Sequence, residues 1–242
     1  MKALLRWLLL VACAALALEL FFVGRIALMA AVDPQSTSFQ RSEAWRIVQD
    51  KGTLRWRQQW VPWNSLSDHL KRAVIASEDD DFVNHSGVEW DAIEKAWRKN
   101  AREEQKAARA PAPPGKGKRV KIVGGSTITQ QLAKNLLLSG ERTLLRKGQE
   151  FVLAVALETL LSKQRILEIY LNNVEWGEGV FGAEAAAQHY FRKSAAQLST
   201  WEAARLAVML PAPKRYEKLP NSAYLGSRAS TILARMGDAE LP

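Results

Sequence analysis

The chain has 242 residues, of which 48% are hydrophobic and 24% charged, enough for one substantial core with appendages. Its 34 Lys and Arg against 25 Asp and Glu leave a formal charge of +9, which points to an anionic partner: phosphate, an acidic membrane surface or nucleic acid. The single Cys13 excludes an intramolecular disulfide, and His69, His85 and His189 lack the spacing of a zinc site.

After Lys2 and Arg6, the stretch from Trp7 to Gly24 is apolar except for Glu19, and an apolar run resumes after Arg25. A bilayer crossing takes about 20 helical residues, so residues 1–31 are expected to form an uncleaved transmembrane anchor. The basic flank orients the N-terminus to the cytoplasm and the rest of the chain outside. Arg25 can snorkel, while Glu19 has to sit near an interface or be protonated. A cleaved signal peptide and lipoprotein-type processing at Cys13 are the alternatives; the apolar segment is long for the first, and no convincing small-residue cleavage site precedes Asp33.

Residues 32–60 read as a juxtamembrane connector with room for one short hairpin at 45–60. Its Trp45, Trp56 and Trp60 suit either the headgroup level or ordinary packing. A helix is predicted from Ser65, capped with Asp68, carrying Leu66, Leu70, Ala73 and Val74 and ending near Glu78. There begins EDDDFVNHSG, Glu78 to Gly87, whose carboxylates crowd a helix C-terminus, where charge and macrodipole both push a carboxyl pKa upward. That poises Glu78 as a general base, although the string alone reads first as a solvated acidic turn. A further helix from Asp91, with Ile93 and Trp97 on one face, fades into a Pro, Gly and Lys-rich loop. From 100 to 121 this loop holds seven Lys or Arg against two Glu, so most of the chain's basic excess is local.

GGSTITQQLAKN, Gly124 to Asn135, places a glycine pair before a helix that Thr127 and Gln130 can cap reciprocally. Free amides and hydroxyls there, with Gln130, Gln131 and Lys134 on the first turns, suit a diphosphate cradle or simply a capped structural helix. Helices are predicted at 128–138, 144–162, 164–172, 182–191 and 199–210, the last opened by Ser199 and Glu202. In RKGQEFVLAVALE, the apolar set Phe151, Val152, Val155 and Leu157 leaves Glu150 free to face a cleft edge, as the second carboxylate that glycosyl chemistry uses or as a solvated side chain. Asn172 is expected to cap a helix end, and His85 and His189 to be structural.

Taken together and in order, these clusters resemble the peptidoglycan glycosyltransferase family, in its monofunctional biosynthetic form. The resemblance is carried by Glu78, Asp79, Phe82, His85 and Gly87; by Gly125 to Gln131 with Lys134 and Asn135; by Arg146, Lys147, Glu150 and Ala154; and by Arg165 to Glu168, Tyr170 to Asn172 and the later Gly, Ala and Ser199–Glu202 positions. It covers residues 61–216, and no Ser is followed three residues later by Lys as a transpeptidase would need. It implies a mainly α, lysozyme-like lobe with a smaller membrane-facing jaw, occupying 61–220 and followed by a C-terminal tail at 221–242. It implies polymerisation of lipid II into β-1,4-linked glycan with inversion and release of undecaprenyl diphosphate, at the periplasmic face of the bacterial inner membrane. Glu78 would be the base and Glu150 would assist the departing diphosphate, through a divalent cation such as magnesium. Ser126, Thr127, Gln130, Gln131, Lys134, Arg142, Arg146 and Asp79 would hold the substrate. Implied partners are lipid II, the growing strand, the membrane and other cell-wall or division proteins, with no nucleic acid. The competing expectation is a lysozyme-like hydrolase or lytic transglycosylase acting on finished glycan. The sequence departs from the family pattern at Asp80 and Asp81 and in its longer basic loop.

Overall fold

The computed structural model describes residues 1–90, 94, 98, 101–102, 125–138, 140 and 143–242. The expectations for Asp91, Ile93, Trp97, Gly124, Arg142 and nearly all of the basic loop fall outside these residues.

The chain opens with α1 (Lys2–Leu28), whose 27 residues span about 40 Å at the usual helical rise, more than the roughly 30 Å of a bilayer core. Its apolar side chains are mostly exposed until Phe22 packs against the main core and Ile26 and Met29 enter it. Arg165 holds the junction, donating from Nε to the Met29 carbonyl at 2.8 Å and from Nη2 to Asp33 at 2.7 Å. Higher up, Gln149 Nε2 donates to Glu19 Oε1 at 2.6 Å. The one carboxylate in the apolar stretch is thus met by a polar partner from the globular body.

The connector holds no hairpin. It forms α2 (Ser38–Lys51), started by a reciprocal capping box between Thr37 and Gln40 and stopped at Gly52. A single strand follows, β1 (Arg57–Gln58). Its partner comes from far along the chain: β2 (Glu175–Gly177) and β3 (Val180–Phe181) make the hairpin, in sheet order β1-β3-β2 with β1 parallel to β3. Gly179 is required between them, because its φ is +73° and a Cβ would stand 2.1 Å from the Arg55 carbonyl. Asn172 ties this edge to the body instead of capping a helix end, donating to the Val61 carbonyl at 3.0 Å and accepting from the Val61 N–H at 2.9 Å.

The remaining elements are α3 (Asp68–Glu78), α4 (Ile128–Leu137), α5 (Leu144–Leu160), α6 (Lys163–Asn173), α7 (Ala183–Phe191), α8 (Thr200–Met209), α9 (Pro213–Tyr216) and α10 (Ala223–Arg235). The first of them starts later than its sequence pattern suggests: Trp63–Ser65 is a 3-10 turn, and Ser67, not Ser65, caps the helix. Among the described residues the fold is mainly helical. Its centre is α3 packed on α8 and α10, with α4 laid on α5 and α6. The expected C-terminal tail contains α10, capped by Ser222 and burying Leu225, Ala229 and Ile232 at helical spacing. It is part of the core.

Candidate active site

Glu78 owes its position to α3. Leu70, Ala73 and Val74 bury one face of that helix, which breaks at Asp79, where the backbone turns extended at φ −164°. The next turns are fastened to α4. Asp79 Oδ2 accepts from the Ile128 N–H at 2.8 Å, an anionic cap on the positive end of that helix. The Gly87 N–H donates to His85 Nδ1 at 3.0 Å, so the imidazole proton lies on Nε2, which donates to Asp79 Oδ1 at 2.8 Å. Thr127 Oγ1 donates to the Gly87 carbonyl at 2.6 Å and closes a capping box with Gln130. Gly87 lies in the left-handed region, φ +84°, and a Cβ there would meet Glu158 at 2.8 Å.

These bonds present Glu78 to α4. Gln131 Nε2 donates to Glu78 Oε2 at 3.0 Å, and Tyr170 donates to Gln131 Oε1 at 2.9 Å. Burial pushes the Glu78 carboxyl above the usual range, and the Asp79 charge adds to it, against hydrogen bonds from Gln131 and Ser77 and the charge of Arg228. The expectation of crowding is therefore corrected in its cause. Removal from water comes first, and the additional acids are engaged elsewhere: Asp80 with Arg235 at 2.7 Å and Asp81 with Asn84 at 2.7 Å. Burial, with the charges of Glu78 and Asp79, also raises the Tyr170 phenol, which stays a donor.

On α5 the expected face is only partly kept, with Leu157 buried as expected. Glu150, Leu153, Ala154 and Leu157 point inward, with Glu150 only 3% exposed, while Val152 and Val155 are 54% and 53% exposed. Glu150 faces no cleft edge. Its Oε2 accepts from Arg146 Nη1 at 3.0 Å and its Oε1 accepts from Lys147 Nζ, which also reaches Ser126 Oγ at 3.4 Å. The carboxylate fixes two cations one helical turn away.

Two cavities flank the Glu78–Gln131 bond. The larger, about 690 Å³, is lined by Gln131, Lys134, Asn135, Arg146, Lys147 and Glu175 among others. The smaller, about 210 Å³, is lined by Ser77, Glu78, Asp80, Glu89, Ser126 and Arg235 among others. Of the residues expected from sequence, Gln131, Lys134 and Arg146 come together in the first and Glu78 and Ser126 in the second. Asp79 and Thr127 touch the smaller cavity, but their oxygens are used in the internal bonds above. Gln130 is 1% exposed and reaches neither. Lys147, Asn135, Tyr170 and Glu175 were missed as site residues. Arg146 and Lys147, four and three residues before Glu150, are the sequence signal for Lys147; Glu175 has none in the local sequence.

A divalent cation held by Glu150 does not fit this donor set. Its carboxylate is already paired with two cationic side chains, which would repel a divalent ion, and among the described residues no group of three or more His, Cys, Asp or Glu is gathered.

A helical body that sets a carboxyl of raised pKa beside a cavity bearing Lys134, Arg146 and Lys147 has the layout of an enzyme site. The family described as Transglycosylase matches residues 47–237. A biosynthetic peptidoglycan transglycosylase of Burkholderia thailandensis is 53% identical over 227 residues, covering 94% of this chain and 83% of its own. Its counterpart in Paraburkholderia phytofirmans is 52% identical over 96% of this chain and 90% of its own, and that of Herminiimonas arsenicoxydans 52% over 100% and 99%. The chain belongs to the peptidoglycan transglycosylase family and is an enzyme, a glycosyltransferase of cell-wall synthesis.

Proposed function

We propose that the chain polymerises lipid II, a disaccharide-pentapeptide on undecaprenyl diphosphate, into β-1,4-linked glycan. The observation that carries this reading is the Glu78 carboxyl, of raised pKa and bonded to Gln131, between a small cavity and a larger one walled by Lys134, Arg146 and Lys147. The acceptor 4-hydroxyl loses its proton to Glu78 as its oxygen bonds to C1 of the donor. The C1–O bond to the diphosphate breaks with its electron pair going to the leaving oxygen. Attack from the opposite face turns an α-linked donor into a β product. Lys134, Arg146 and Lys147 oppose the charge that accumulates on the diphosphate, joined by Ser126 and by Arg142, which lies outside the described residues. Glu150 acts through Arg146 and Lys147, holding both in place.

The anchor α1, with Lys2 and Arg6 before it, supports a site in the inner membrane with the globular body on the periplasmic side, where the substrate's lipid stays in the bilayer. Other cell-wall and division proteins are natural partners there. The test is incubation of the purified protein with lipid II and separation of products by size. Lengthening glycan that disappears in Glu78→Gln is expected; breakdown of finished glycan with no lengthening would instead make the enzyme lytic.

A further inference from the structure

Glu175 opens β2 and lines the large cavity, yet it takes no part in the transfer step itself. It is 7% exposed, and its Oε1 is buried without a hydrogen-bond partner. The nearest cation, Lys214 Nζ, stands 3.4 Å away but makes its short bond to Glu43. Glu43 also takes Arg46, at 2.9 and 3.0 Å, so the local cations are committed to Glu43 first. A buried carboxylate oxygen with no hydrogen-bond partner, on a residue that lines a cavity, keeps acceptor capacity for a ligand's donor.

The charge pattern of the cavity narrows what supplies that donor. Lys134, Arg146 and Lys147 stand on α4 and α5, whereas Glu175 stands on the sheet near α9. A carboxylate repels phosphate, so a ligand anionic throughout is disfavoured at the Glu175 end. A neutral sugar would make no use of the positive charge that Lys134, Arg146 and Lys147 bring to the cavity. The ligand that suits both ends is anionic at one and rich in hydroxyl and amide donors at the other, which is a glycosyl diphosphate.

Resting on the lipid II reading, we propose that Glu175 is a substrate-recognition residue, accepting a hydrogen bond from a hydroxyl or amide N–H of the donor saccharide. It thereby directs the diphosphate to the α4–α5 cations. Burial, helped by the Glu43 charge and opposed by Lys214 and Arg46, raises this carboxyl to about 7.

The test measures binding, by calorimetry on the full-length protein in detergent, of two probes: a lipid-free N-acetylglucosaminyl-N-acetylmuramyl diphosphate and inorganic pyrophosphate. Glu175→Ala should weaken the saccharide probe about tenfold and leave pyrophosphate within about twofold, while the isosteric Glu175→Gln, which keeps an acceptor, loses about threefold or less. In turnover, Glu175→Ala should raise KM with kcat little changed. Equal weakening of both probes would assign Glu175 a structural role, and unchanged saccharide binding in both variants would overturn the proposal outright. Wild-type protein that binds the saccharide probe through Glu175 yet builds no glycan would sink the polymerase reading alone.

Discussion

Gln131 donates to Glu78 at 3.0 Å with its amide oxygen held by Tyr170 at 2.9 Å, so one buried phenol fixes which end of the amide faces the carboxylate. That bond favours the ionised form of Glu78 against the burial that disfavours it. Removing it in Gln131→Ala should move the acid limb of the pH–rate profile to higher pH. Tyr170→Phe should move it in the same direction by less, because the amide can then turn over. Either variant should lose about tenfold in kcat near neutral pH, and an unmoved acid limb in both would detach Gln131 from the base.

Glu78 carries a second, opposite consequence. Its folded pKa lies above the unfolded value of 4.5, so the cost of burying its charge is absent below that pH and grows as pH rises through the folded pKa. Glu78→Gln should therefore lose at least about 100-fold in activity while melting higher than wild type at pH 7. The gap should close as the pH falls toward 4.5. Thermal scans across pH give the check; a variant that melts lower at neutral pH contradicts the burial argument.

Which parts of this were readable follows from how local the causes are. The box of Thr127 with Gln130 and that of Ser199 with Glu202 each need four consecutive residues, and both helices start where that chemistry places them. The same chemistry sits at Thr37–Gln40, but the helix after it is polar on most faces, so its sequence resembles a connector. On α5 the usual rule that apolar residues point inward misled. Leu144, Leu145, Val152 and Val155 are exposed on a helix that packs against the apolar anchor, and the buried face is marked by Glu150 with Leu153, Ala154 and Leu157. Glu175 could not be read at all, because its environment is built from α2 and α9, far away in the chain.

Glu150 is expected to behave as a positioning residue. Glu150→Gln removes the charge that pairs with Arg146 and Lys147, leaving two cations free to shift. Breaking a buried ion pair from one side typically costs about 3–5 kcal/mol, so the variant should melt lower and turn over at least about tenfold more slowly. Arg146→Ala combined with Glu150→Gln should cost less than the sum of the two, since the first change already removes part of what the second breaks. Strict additivity in melting and in rate would mean that the pair acts independently.

Glu19 and Gln149 meet at 2.6 Å although 130 positions separate them, and Arg165 clamps the base of the same helix. A carboxylate in an apolar span opposes insertion by about 2.5–3.5 kcal/mol at the helix centre, so Glu19→Leu should partition into membranes at least as well as wild type. It should nevertheless weaken glycan synthesis on liposomes, because the α1–α5 contact loses its polar tie beside the turn that carries Arg146 and Glu150. Glu19→Cys with Gln149→Cys in a Cys13→Ser background should form a disulfide under mild oxidation, and reduction should restore whatever activity the crosslink changes. Absence of the crosslink in liposomes would mean that α1 and α5 part company in the membrane, and the clamp would then have no role in turnover.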